Sequence, residues 1–205
     1  MTTLRPLTSL PVDALAAEAI AVLRGNDRGT WTRPSPRLYP HQWSWDAAFV
    51  AIGWTHFDAE RAVTELRSLF RGQWADGMVP QIVFDDCVAL GAYEPRPRTW
   101  ATARLCPPGV ATSGICQPPV HAIALARVRE VAGQRGDGSL AAVDRAVTDL
   151  YPRLAAWHRW LRTTRDPAGT GLVTIFHPWE SGLDLSLIHI SEPRDLSTSR
   201  MPSSA

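Results

Sequence analysis

An apolar stretch, residues 46–56, and an amphipathic one, residues 58–72, follow one another with almost no chain between them. The first is apolar nearly all round, as a buried helix is. The second repeats Ala62, Val63, Leu66, Leu69 and Phe70 at helical spacing, opens on the capping residue Asp58 and stops at Gly72. A helix that turns straight back into another must lie against it, so the pair predicts an antiparallel αα-hairpin.

The same reading extends along the chain. Residues 11–23 predict a helix capped by Asp13, with Leu15, Ala19, Val22 and Leu23 on one face and Gly25 just beyond its end. Residues 118–131 predict another, opened by Pro118 and Pro119 and followed by a turn over 133–138. Residues 140–164 are helical, bent or divided at Tyr151-Pro152. Loops rich in Pro and Arg fill 28–40 and 94–109, a turn at Asp76-Gly77 feeds a short extended piece, and 172–176 predicts a short strand. The fold class is therefore all-α. No fixed-length repeat shows, which excludes a helical solenoid.

Composition narrows the function classes. A chain of 205 residues with 45% hydrophobic and 20% charged side chains has the makeup of a globular protein, and its net charge of +1 excludes a polybasic nucleic-acid or membrane surface. No apolar run spans a bilayer and no leader opens the chain, so the expected location is cytoplasmic. Cys87, Cys106 and Cys116 make no CxxC pair and read as reduced thiols. No GxGxxG, P-loop or HExxH motif is present, so neither a cofactor nor a metal is expected. Trp, at 9, outnumbers Phe and Tyr together, which means either a heavy core or an aromatic-lined binding site.

The chemistry sits in loops that precede helices. YPHQWSWD at 39–46 puts four rings and a carboxylate at a helix start. Asp46 is either the N-cap of that helix, with the rings as core, or part of a sugar site. In such a site flat aromatic faces pack on C–H groups, and carboxylates and amides take the hydroxyls. GMVPQ at 77–81 and SGICQPP at 113–119 each hold a Gln in a stiff loop, a pattern ordinary turns also produce, and His121 reads as a satisfied helix residue. HPWESGLD at 177–184 carries Glu180 and Asp184 beside Trp179 and Gly182. A carboxylic acid against an aromatic wall can titrate high enough to act as a general acid, while surface turns and structural networks also use such residues.

In this order the four motifs resemble the mannosylglycerate-hydrolase-like glycoside hydrolases, within the wider group that includes processing α-glucosidase I. The resemblance runs from about residue 39 to 184, and WESGLD is its most specific element. It implies an (α/α)6 toroid, of which this chain would be the N-terminal half, and hydrolysis of an α-glycosidic bond with inversion. By motif match Asp184 is the general acid, with Glu180 in support. Tyr39, Trp43, Trp45, Asp46, Gln81, Gln117 and Trp179 line the substrate site. The partner implied is a small carbohydrate such as mannosylglycerate or glucosylglycerate, with no nucleic acid and no membrane. No acidic residue matches the second carboxylate that inversion needs. The alternatives are a trehalase-like or debranching α-glucosidase and a non-catalytic helical carbohydrate-binding module.

After Asp184 the family continues NSP, whereas this chain reads LSLIHISEP over 185–193 and SRMPSSA over 199–205. Both segments resemble translated sequencing-library adapter, the transposase mosaic end and the distal primer site. The expected organisation is a truncated catalytic domain over 1–184 and a non-native, disordered tail over 185–205. The codons across 185–190 test this.

Overall fold

The computed structural model describes residues 12–86 and 96–182. The cysteine Cys87, residue Asp184 and the whole 185–205 segment lie outside the described residues.

In chain order the elements are α1 (Val12–Asn26), β1 (Gln42–Trp43), α2 (Ser44–Thr55), α3 (Ala59–Phe70), β2 (Ile82–Val83), the single turn α4 (Pro97–Trp100), α5 (His121–Arg135) and α6 (Leu140–Thr164). A 3-10 turn, Pro178–Ser181, follows. The expected hairpin is present. Arg61 N donates to Asp58 Oδ1 at 2.8 Å, which satisfies one free donor of α3. The predicted face of α3 (Ala62, Val63, Leu66, Leu69 and Phe70) is buried, and α2 packs against it. A second hairpin, α5–α6, packs against the first, α5 on α2 and α6 on α3.

Trp54, Leu66, Phe70, Leu125, Val128, Leu150 and Trp157 meet in the core between the four helices. Each such side chain contributes roughly 1.5–3 kcal/mol through water exclusion. The architecture is all-α, two consecutive helical hairpins packed on each other, with a two-stranded ribbon before α2.

Several local expectations are corrected. Helix α1 runs on through Gly25 to Asn26 and buries none of its residues; Leu15 and Val22 are exposed and Leu23 makes the contact with α2's side of the core. Asp13 lies inside its first turn. Gly133 lies within α5, which ends instead at Gly136 in the left-handed conformation. Residues 172–176 form no strand; Leu172, Val173, Ile175 and Phe176 are exposed.

Helix α6 continues through Pro152 without a division. Both halves of α6 bury residues in the same core: Val143, Ala146 and Leu150 before the proline, Leu154, Trp157 and Trp160 after it. Arg153 Nη1 also donates to Phe70 O and Gln73 Nε2 to Arg153 O, at 2.8 and 2.9 Å. Packing on both sides of the break outweighs one lost helical hydrogen bond.

Among the described residues no helix is long and apolar enough to cross a membrane.

Candidate active site

Three of the four motif loops are joined by backbone hydrogen bonds. β1 and β2 pair antiparallel, Gln42 opposite Val83 and Trp43 opposite Ile82. Ser44 N donates to Gln81 O at 2.9 Å, Gln81 N to Ile115 O at 2.7 Å and Ser113 N to Ile82 O at 3.0 Å. Loops distant in sequence thus share one small ribbon at the start of α2.

The turn that feeds β2 is seated on α6. Gly77 has φ +107, and a Cβ there would fall 2.6 Å from Ala156 O. Only glycine meets both demands. Asp76 accepts from Met78 N and from Trp160 Nε1, at 3.0 Å each.

The N-terminus of α2 settles the role of Asp46 as a cap. Trp43 occupies the N-cap position with no side-chain bond, and Asp46 lies inside the first helical turn. The cap comes from across the site, where Gln117 Oε1 accepts from Trp45 N at 3.2 Å. Asp46 is half-buried, where its charge gains from the positive end of the helix. The capping reading of Asp46 is therefore overturned, and Gln117 takes that task.

Beneath this point Ser44 Oγ lies 3.0 Å from His121 Nε2, stapling the starts of α2 and α5. Burial lowers the His121 pKa to about 4, so the ring is neutral. Gln42 Nε2 donates to Glu65 Oε1 at 2.9 Å. Glu65 in turn accepts from Thr32 Oγ1 at 2.9 Å and pairs with Arg61 at 3.0 Å. Burial raises the Glu65 pKa, and Arg61 opposes the rise. His41 Nδ1 accepts from Asp85 N at 3.0 Å. Burial lowers the His41 pKa, against the pull of the Asp85 charge.

The aromatic candidates divide by exposure. Tyr39, 45% exposed, stands edge-on to Trp43 at 5.0 Å, while Trp43 is buried against Ile82 and Phe84. Trp45 is half-buried, with Phe49 edge-on at 6.0 Å. The fourth motif loop rests on the Trp45 indole: a Cβ at Gly182 would meet Cη2 and Cζ3 of that ring at 2.9 Å, and Gly182 has φ +69. Trp179 is half-buried, with His177 at 4.9 Å and Trp100 at 6.4 Å.

Two of the expected site residues, Gln81 and Glu180, are buried. The Gln81 side chain is fully buried, and among the described residues neither amide atom has a hydrogen-bond partner. Glu180 is also buried, and both its oxygens are occupied. Oε1 pairs with Arg165 Nη2 at 2.5 Å; Oε2 accepts from Phe176 N at 2.8 Å and His177 N at 3.3 Å. Glu180 is an internal anion that shapes its turn, in keeping with a supporting position rather than that of the acid.

Trp100, His177 and Arg165 are site neighbours that sequence reasoning missed. An HPW triplet opening a 3-10 turn carried a signal for His177, whose Nδ1 accepts from Trp179 N at 3.2 Å. Among the described residues no group of three or more His, Cys, Asp or Glu could hold a metal ion.

The model of the mannosylglycerate hydrolase MGH1-like glycoside hydrolase domain matches residues 39–202. The chain belongs to this family. It is 50% identical over 175 residues to the glucosylglycerate hydrolase of Mycolicibacterium hassiacum, covering 84% of this chain and 39% of that protein. It is 47% identical over 178 residues to the mannosylglycerate hydrolase of Rubrobacter radiotolerans, covering 85% and 38%. The crystal structure of the family GH63 mannosylglycerate hydrolase from Thermus thermophilus, in complex with Tris and D-glycerate, superposes with a TM-score of 0.76 at 42% identity. That match covers 93% of this chain and 43% of the other. The chain thus spans about two fifths of the length of these relatives. Three of the motif loops thus meet at the ribbon before α2, and the fourth abuts them through Gly182 and Trp45.

Proposed function

We propose that the chain carries the sugar-binding and acid half of an inverting α-glycoside hydrolase whose substrate is a small α-glycoside of glycerate. One observation carries this reading furthest: the 177–182 loop is seated on Trp45, so the residues leading to Asp184 arrive at the helix start that holds Trp45, Asp46 and Gln117.

In this reading Asp184 protonates the glycosidic oxygen as the bond to the anomeric carbon breaks. Tyr39, Trp43, Trp45 and Trp179 wall the glycosyl ring, and Asp46 and Gln117 face its hydroxyls. Glu180 supports Asp184 by fixing the turn before it, and Gln81 is a further substrate-binding residue. Inversion also needs a carboxylate that activates water on the opposite face of the sugar, roughly 6.5–9.5 Å from the acid. No residue of this chain matches that base, so the chain by itself turns over nothing. The names of its relatives favour mannosylglycerate and glucosylglycerate over trehalose or branched glucans.

Joining residues 1–184 to the remaining portion of the M. hassiacum relative tests the proposal. The chimera should release glycerate from glucosylglycerate or mannosylglycerate, and the 205-residue chain should release none. In the chimera Asp184→Asn should abolish turnover and retain sugar binding. A folded chimera that binds the sugar without turnover would favour the non-catalytic binding module. Preference for trehalose or isomaltose would favour the α-glucosidase alternative.

A further inference from the structure

We infer that Arg165 is a positioning residue of this site, fixing the turn that leads to Asp184 against the loop that carries Gln117. Arg165 closes α6, its N–H donating to Leu161 O at 3.0 Å, and its carbonyl accepts from Thr174 N at 2.7 Å. The side chain is buried. Its guanidinium carbon lies 5.0 Å from the Trp160 ring centroid and 4.2 Å from that of Phe176. Among the described residues Nε and Nη1 have no hydrogen-bond partner, and the cation is held there by ring faces and by one anion, Glu180.

That anion links two loops. The Glu180 carboxylate takes the Phe176 and His177 N–H groups on its own turn and the Cys116 N–H, at 3.4 Å, on the other loop. Cys116 is the neighbour of Gln117, which caps α2 through Trp45 N. The spacing between the α2 cap and the 177–182 turn therefore depends on this buried ion pair as well as on the seating of Gly182 against Trp45, and removing either charged partner strands the other. In purpose this rests on the glycosidase reading; in geometry it does not.

Amide hydrogen exchange on the 205-residue chain tests it without any sugar. R165M keeps an apolar stem beside Trp160 and removes the charge, whereas R165K keeps the charge. In R165M the Phe176 and His177 amides should exchange at least tenfold faster, with Leu66 and Leu69 of α3 unchanged. R165K should recover at least half of the lost protection on a logarithmic scale. Should R165M also expose α3, the double variant R165M/E180Q decides, since it strands no charge and keeps an acceptor for the two amides: its loop amides should exchange fast over an intact α3. Loop amides that stay protected in that comparison, or an R165K variant with no recovery, would overturn the inference. Failure of the glycosidase reading would appear separately, in the chimera.

Discussion

At the scale of single residues the site depends on close fits more than on strong bonds. A methyl group at Gly182 would press on the Trp45 ring at 2.9 Å and would occupy a left-handed backbone. Gly182→Ala should therefore destabilise the chain by at least about 1 kcal/mol. Thermal melting measures the loss, and an unchanged melting temperature would refute the fit.

His121 predicts a pH dependence. Its pKa is about 4 when folded, against 6.5 for the free side chain. Between those values the unfolded chain takes up a proton that the folded state refuses. Its stability is thus undiminished above about pH 6.5 and falls, by about 3 kcal/mol, as the pH drops towards 4. Urea midpoints between pH 7 and 4.5 should fall more steeply for the unaltered chain than for H121Q. Equal slopes would contradict this. His41, lowered by burial in the same direction, accounts for part of what remains.

The rings and amides of the site were legible because motif and composition single them out. Arg165 was not, because nothing local separates one arginine at a helix end from the other basic residues. Its role exists only through Glu180, 15 positions away.

At the scale of elements, legibility followed packing. α3 and α6 were readable because their periodic faces are the faces they bury. α1 was legible as a helix, but its spacing did not show that Leu23 packs on the core while Leu15 and Val22 stay exposed. Serine at both Leu15 and Val22 should accordingly change stability by no more than about 0.5 kcal/mol. Leu66→Ala in α3 should cost about 2–5 kcal/mol, because Leu66 is fully buried between hairpins. Denaturant titration of the two variants distinguishes an unburied helix from a core one. The capping of α2 was illegible for a different reason. Its acceptor comes from Gln117, on a loop that nothing near residue 45 announces.

At the scale of the whole molecule, Phe49 of α2, Ile123 of α5 and Tyr151 of α6 are 56%, 69% and 69% exposed. The 172–176 segment adds Leu172, Val173, Ile175 and Phe176 to the large apolar side chains that face water. The purified chain should associate with itself as its concentration rises. Light scattering should report species larger than 22.6 kDa, and a monodisperse monomer with a sharp two-state melt would count against this.

The joints of the site have a temporal consequence. Trp45 meets Gln117 across 72 positions of sequence and Cys116 meets Glu180 across 64, whereas the α2–α3 hairpin closes through a three-residue turn. Chain closure over such lengths must wait for local structure. During synthesis the first hairpin can dock long before the 177–182 loop leaves the ribosome. The binding surface is thus the last part of the chain to form, and local opening should reach it first.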